Sequence, residues 1–589
     1  MHAGEDLLAA PPPAPSNRAP GSAAWPVLLA GAWLASLWGL LAVPLDVYDE
    51  PLLLLGGRLM GAGRLPYRDF YTNYGPLGYA LISWLPRSAN PGIAYRLLQA
   101  ALLLLLAILF AGLRRVVAPG RRPWLSAGVA AFAYLSLATV LQTPHFLAYA
   151  SVLASLAMLI LADSAPTPRA SARCLAAAGV AVAIAALIRP AFGFYAAAAT
   201  IALSLAVLPL EAALRRIGIA AAAAVASGTL IWFALFRAIP LADAWISAIV
   251  IPDRLSSSRF VPPAQPFPAL GLAPSATIAA AATASLFALC VLGALSTGNR
   301  GARAAGATGT ALAASLPFFL GALGSPARIA TAGALALLAI AFLTWRLARA
   351  ALASDARLRA SAACGLAAAA FLHYDLARAD PAHIVPALAL AVASALLALP
   401  RLSATGRILT LGLLILAARS PWLGLELAPP ASIGRSPGTP SVSTASGFWS
   451  RFPASMFPIE AVESVRAADS EADPGSRFVA LASDHRRSEG SAAVLFLLSK
   501  RLPYTRWYAY DPGVQTAPFV QALMVGELER SGSRSAVVWS ARSFGGVERG
   551  PDEAPATPLD RRLLELYPRI LGQYGGLQVR LGELVVAGR

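Results

Sequence analysis

A stretch from Asp46 to Leu85, DVYDEPLLLLGGRLMGAGRLPYRDFYTNYGPLGYALISWL, gathers more carboxylates, arginines and aromatics than any comparable segment before the C-terminal region. Asp46, Asp49 and Glu50 open it. A carboxylate held close to a hydroxyl can remove its proton. Arg68 offers a planar fork that fits a phosphate or a carboxylate at two points, and its neighbour Asp69 is one such carboxylate. Tyr67, Phe70, Tyr71, Tyr74 and Tyr79 supply rings for stacking or for an aromatic belt at a membrane surface. A second cluster runs from His373 to His383, HYDLARADPAH, and adds a cation in Arg378 and an imidazole in His383. Its Asp380-Pro381 is the pattern of an N-cap followed by proline in the first helical position.

Each of these residues also has a purely structural reading. Glu50-Pro51 looks like a helix start, which makes Asp49 and Glu50 capping carboxylates favoured by the helix dipole. The apolar run Leu52 to Met60 is too short to span a bilayer and is expected to lie along the membrane surface. Gly61 and Gly63 look like its stop signal. Arg68 and Asp69 can brace the loop as a local pair.

The elements that must position these residues are membrane helices. The chain has 589 residues, of which 57% are hydrophobic and only 13% charged. Mean hydropathy is +0.62, which excludes an ordinary soluble protein. The net charge of +17 comes almost wholly from arginine, Lys500 being the only lysine. Most arginines fall in short loops between apolar runs, so the positive-inside bias accounts for them and no nucleic-acid partner is called for. Cys174, Cys290 and Cys364 lie inside apolar segments, and no Cys-x-x-Cys or Cys/His metal spacing occurs.

Hydropathy predicts about 13 spans, at 25–43, 93–113, 123–141, 146–162, 173–188, 191–209, 217–237, 270–294, 304–323, 329–346, 358–373, 383–400 and 407–421. Residues 1–24 form a Pro/Ala-rich cytoplasmic N-terminus expected to be disordered. The first apolar run is long and starts late, the pattern of a retained anchor. With the N-terminus inside, the arginine-dense short loops all fall on one side. The 44–92 loop, the Gln142 to His145 turn, the Arg189-Pro190 turn, the Pro-rich 238–269 loop and the Tyr374 to Ala382 turn fall on the other. The transmembrane domain therefore covers 25–428, and 429–450 is a Pro/Ser/Gly/Thr-rich linker. An odd span count puts 451–589 outside as a small α/β domain, with strands at Phe478 to Ala482 and Ala536 to Trp539 and helices at Ala492 to Ser499 and Phe519 to Arg530.

The Asp-Glu pair just after the first span, the Gly-rich turn, Pro66-Tyr67-Arg68-Asp69-Phe70 and Tyr74-Gly75-Pro76-Leu77 together resemble the GT-C superfamily. These are integral-membrane glycosyltransferases that use polyprenyl-phosphate sugars. The likeness is to the bacterial branch related to protein O-mannosyltransferases and lipid A aminoarabinose transferases. The Arg…Asp…His order before a late span resembles the same branch. It implies a GT-C-like polytopic α-helical protein in the bacterial inner membrane, with a periplasmic C-terminal domain. Its partners would be a polyprenyl-phosphate-linked sugar, a glycan or glycolipid acceptor, and membrane lipid. Asp49 is then the catalytic base and Glu50 orients the site or accepts a sugar hydroxyl, with Asp46 as the alternative base. Asp46, Arg68, Asp69, Tyr74 and Asp380 belong to the substrate-binding set. Arg378 takes the lipid phosphate, and His383 takes phosphate or sugar. Many relatives place an acid in the second outer loop to help hold a metal ion or the acceptor. Here Gln142 to His145 has none, so no cofactor is certain and a divalent metal is left open.

Other classes fit less. A transporter or flippase of lipid-linked glycans needs charges deep inside several spans, and this chain keeps its charges at span ends. A non-catalytic membrane scaffold leaves both polar clusters unexplained.

Overall fold

Thr167 and Pro168 begin the best-formed long helix, and Pro190 ends it. The Thr167 hydroxyl accepts a hydrogen bond from the Ala170 N–H at 3.1 Å, and Pro168 occupies the first turn, where a missing N–H costs nothing. At the other end, the residue before a proline is pushed out of the helical region. Arg189 is accordingly extended, with φ −146° and ψ 105°, and a second helix starts at Pro190.

A computed structural model describes residues 34, 49–87, 94–102, 104–105, 143–163, 165–251, 356–377, 386–387, 390–391, 393–394, 459–471, 479–482, 493–499, 501–503, 505–508, 514–515, 517–530, 535–539, 557–574 and 577–582. The first loop holds α1 (Asp49–Gly61) and α2 (Pro76–Ile82). The bundle helices are α3 (Thr143–Asp163), α4 (Pro168–Ile188), α5 (Pro190–Val207), α6 (Leu210–Leu235) and α8 (Ala356–Ala377), with the short α7 (Leu241–Trp245) after α6. The five long helices fall where hydropathy predicts the spans at 146–162, 173–188, 191–209, 217–237 and 358–373. The span at 25–43 apart from Leu34, the spans at 123–141, 270–294, 304–323, 329–346 and 407–421, the linker and the 252–269 part of the Pro-rich loop lie outside the described residues.

Among the described residues, α4 and α6 are long and apolar enough to cross a membrane. The apolar window of α6 is only 6% buried, and Leu210, Leu214, Val225, Leu230 and Phe233 are exposed. A core helix of a soluble protein hides such residues, whereas a lipid-facing helix shows them. Among the described residues, these apolar and partly exposed helices suggest a membrane location. Within the bundle, small residues bring backbones together: a Cβ at Gly179 of α4 would collide with the Ala220 carbonyl of α6.

One end of the bundle is tied by charge. Asp163 ends α3, accepts a hydrogen bond from Arg216 Nη1 of α6 at 2.8 Å and forms an ion pair with Arg359 of α8, whose Nε lies 3.3 Å away. Arg216 also donates to the Leu159 carbonyl in the last turn of α3. Both arginines are buried. Asp163→Asn leaves two buried guanidiniums without this carboxylate. We expect it to cost roughly 3–5 kcal/mol, read as a lowered melting temperature in detergent. An unchanged melt would show that the cluster is solvated.

After the bundle come α9 (Ile459–Glu471), β1 (Val479–Ala482), α10 (Ala493–Leu498), α11 (Pro518–Glu529), β2 (Ser535–Trp539), α12 (Pro558–Leu566), β3 (Arg569–Tyr574) and β4 (Leu577–Leu581). The sheet order is β1-β2-β4-β3, with β1 and β2 parallel and the other pairings antiparallel. Thr557 and Asp560 form a reciprocal capping box at the start of α12, at 3.1 and 2.9 Å. This C-terminal part shares one apolar core with the first loop. Leu53, Leu55, Leu59, Phe70 and Tyr71 are buried in the same cluster as Phe496, Trp507, Val520 and Val579. Helix α1 thus packs into a protein core, where the sequence reading lays it along the membrane surface. Its leucine face is covered by the tail instead of by lipid.

Candidate functional site

Helix α1 carries the Asp-Glu pair as its first two residues, so the predicted start at Pro51 moves back by one turn or less. Its end is a Schellman motif. The Arg64 N–H bonds the Leu59 carbonyl at 2.9 Å and the Gly63 N–H bonds the Met60 carbonyl at 3.0 Å. Gly63 sits at φ +80° in the left-handed region, the glycine stop that the sequence predicts. The other glycines of α1 serve contact. Side chains at Gly56 and Gly57 would strike Tyr79 and Ile82 of α2.

Glu50 is buried at 5% exposure. Its carboxylate accepts Arg96 Nη1 at 2.7 Å, Gln99 Nε2 at 2.9 Å and the Tyr95 hydroxyl at 3.3 Å. Those three residues lie on the helical segment 94–102, the entry of the second predicted span. Arg96 and Gln99 went unnoticed in the sequence. Their only signal is an Arg and a Gln within the first turns of an apolar run.

Residues 64–75 form a tight second layer. Arg68 grips Asp69 at two points, Nε to Oδ1 at 3.0 Å and Nη2 to Oδ2 at 2.9 Å, and Asp69 also accepts the Leu65 N–H at 2.8 Å. Partial burial pulls the Asp69 carboxyl upward. The hydrogen bonds from Arg68 and Leu65 and the charges of Arg68 and Arg64 outweigh it, so the group is held below its ordinary value. Tyr67 is left-handed at φ +67°, a strain on the order of 1 kcal/mol for a non-glycine residue. It is held there by its N–H on the Phe70 carbonyl at 2.8 Å and its hydroxyl on the Tyr74 carbonyl at 2.7 Å. Burial pushes the Tyr67 and Tyr79 hydroxyls well up, so both stay neutral.

Tyr74 and Gly75 carry the loop onto the bundle. The Arg189 guanidinium lies 4.8 Å from the Tyr74 ring centre and 5.3 Å from that of Phe192. The Gly75 N–H bonds the Ile188 carbonyl at 2.9 Å. A Cβ at Gly75 would collide with the Leu187 carbonyl, so glycine is required for close approach although its φ of −73° is open to any residue. Gly75→Ala should therefore cost about 1–3 kcal/mol through overpacking, measured by thermal unfolding. A melt equal to wild type would mean that this seam yields freely. Arg189 is a missed candidate; its signal is a lone arginine in the shortest outer turn, against the positive-inside bias.

Of the second polar cluster, residues 373–377 are described, as the end of α8. Arg359 near the start of α8 joins Asp163 at one end of the bundle. Further along α8, Phe371 meets Phe192 at 4.7 Å, Tyr195 at 4.9 Å and Tyr149 at 5.7 Å between ring centres. Phe192 lies beneath Arg189, so α8 runs toward the end of the bundle where the first loop docks. It ends at Ala377, six residues or about 9 Å beyond Phe371. Asp46, Arg378, Asp380 and His383, and the side chain of Asp49, lie outside the described residues. Among the described residues no group of three His, Cys, Asp or Glu side chains could hold a metal ion.

Fold and site together define a helical bundle suited to a membrane, with a polar, aromatic loop seated on one end. No family model and no curated protein matches the chain. Among solved structures, the Archaeoglobus fulgidus oligosaccharyltransferase, in a complex with zinc and sulfate, matches with 14% identity and a TM-score of 0.47, over 87% of this chain and 68% of that one.

Proposed function

We propose that the protein is a GT-C-like integral-membrane glycosyltransferase of the bacterial inner membrane. It moves a sugar from a polyprenyl-phosphate donor to a lipid-linked or envelope glycan on the outer side. One observation carries the reading: the carboxylate-bearing first loop docks on the Arg189 end of the bundle, and α8, the helix that precedes residues 378–383 in the chain, runs toward that same end. In this reading the two stretches with transferase chemistry serve one membrane face.

The mechanism follows from what such a transfer needs. The bond between the anomeric carbon and the lipid phosphate breaks, and the acceptor oxygen bonds to that carbon. The acceptor proton passes to the Asp49 carboxylate. The lipid phosphate departs as an anion, stabilised by Arg378 with His383 beside it. Glu50 is engaged by Arg96 and Gln99, which suits a role in holding the start of α1 over direct contact with sugar. Arg68 and Asp69 hold each other, which suits bracing of the loop. The flippase reading lacks support in the described bundle helices, whose charged residues lie near their ends.

The test uses purified full-length protein, radiolabelled polyprenyl-phosphate sugars and a membrane extract as acceptor. Label should move into the glycolipid or glycan fraction. Absence of transfer together with protein-dependent movement of the labelled lipid across vesicles would replace the transferase with a flippase.

A further inference from the structure

The first loop is fixed from the far end of the chain as well as from the bundle. Arg58 Nη1, on α1, donates to the carbonyls of Phe496 at 2.9 Å and Ser499 at 3.0 Å. Both belong to the C-terminal turn of α10, where a cation satisfies free carbonyls and meets the negative end of the dipole. The turn is itself anchored: the Ser499 hydroxyl donates to Asp469 at 3.0 Å, and Arg501 pairs with the same carboxylate at 3.2 Å. A second attachment lies along the loop. The Tyr71 N–H donates to the Arg506 carbonyl at 2.8 Å, and the Tyr71 ring stacks on Trp507 at 5.1 Å with planes 30° apart. The Arg506 N–H donates in turn to Glu527 on α11 at 3.0 Å.

We propose that residues 493–499 and 505–507 are a positioning element for the first loop, acting through Arg58 and Tyr71 to set where the acidic start of α1 lies. The proposal rests on the reading of that loop as the catalytic centre. Asp49 and Arg58 share one helix and are about 13 Å apart along its axis. The intervening Leu53, Leu54 and Leu55 are buried, so α1 moves as one body. Glu50 pins one end of it to the second span, and Arg58 pins the other to α10. Releasing Arg58 lets α1 pivot about Glu50. A displacement near 1 Å at reacting atoms can cost on the order of 100-fold in rate.

The experiment compares full-length Arg58→Ala, Arg58→Lys and Trp507→Phe for transfer kinetics and for backbone amide exchange. Arg58→Ala should lower kcat about ten-fold or more with donor KM changed less than about two-fold. It should also speed exchange over 53–71 while leaving Pro168–Ile188 unchanged. Arg58→Lys should recover most of kcat, because an ammonium can reach both carbonyls. Trp507→Phe keeps an aromatic ring against Tyr71 at the cost of a small cavity and should give a smaller loss of the same kind, so the idea remains testable if Arg58→Ala does not fold. Unchanged exchange over 53–71, or faster exchange with normal kcat, would overturn the positioning role. Asp49→Asn run in parallel separates the two readings. Normal transfer by Asp49→Asn removes the loop as catalytic centre, whereas a dead Asp49→Asn beside a normal Arg58→Ala removes the clamp alone.

Discussion

Asp49→Asn should lower transfer from a polyprenyl-phosphate sugar on the order of 100- to 10,000-fold, the usual cost of losing a general base. The change is nearly isosteric at the first residue of α1. An asparagine caps a helix about as well as an aspartate, so thermal stability should stay within about 0.5 kcal/mol of wild type. An ordinary carboxylate is ionised at neutral pH, ready to accept a proton, and is a weak base. That suits a transfer in which the donor bond is largely broken before the acceptor proton moves. Radiolabel transfer by purified variants is the measurement. Near-normal transfer by Asp49→Asn with an inactive Asp46→Asn would move the base one turn back along the chain. Normal transfer by both would remove this loop from the chemistry.

What the sequence makes legible is set by how local the physics is. Helix ends can be read because their causes are adjacent. Arg189-Pro190 divides two helices and Gly63 stops α1, each within a turn of the residues that cause it, whereas the span read from 173 starts earlier, at Pro168 behind the Thr167 cap. Strands β1 and β2 are legible as short apolar runs for the same reason. Partners distant in sequence leave no such mark. Arg58 reaches carbonyls 438 and 441 positions away, and the apolar face of α1 alone does not say whether lipid or protein covers it. Charge counting also misleads in one respect. It treats Arg216 and Arg359 as loop charges facing water, whereas both are buried around Asp163. The count places them on the right helix ends and misses that they tie three helices together. At the site, the Arg68–Asp69 pair is legible because its members are neighbours, and the Glu50–Arg96 pair is not.

That second pair yields the other large effect. Glu50→Gln removes the carboxylate from Arg96, whose side chain is 4% exposed, and Arg96→Met removes the cation from Glu50, at 7%. Each single change strands a buried charge and should cost roughly 3–5 kcal/mol in stability. The double variant Glu50→Gln/Arg96→Met buries no charge, and the new amide can still pair with Gln99. It should be more stable than the sum of the singles by on the order of 1–3 kcal/mol in a thermal unfolding cycle. Transfer then distinguishes the two roles open to Glu50. If it fixes the start of α1, the double variant regains stability and much of the wild-type kcat, with Asp49 still in place. If Glu50 touches the sugar, the double variant is stable and remains inactive. Purely additive stabilities would mean that water reaches the pair and that α1 is held by its apolar face and Arg58 alone.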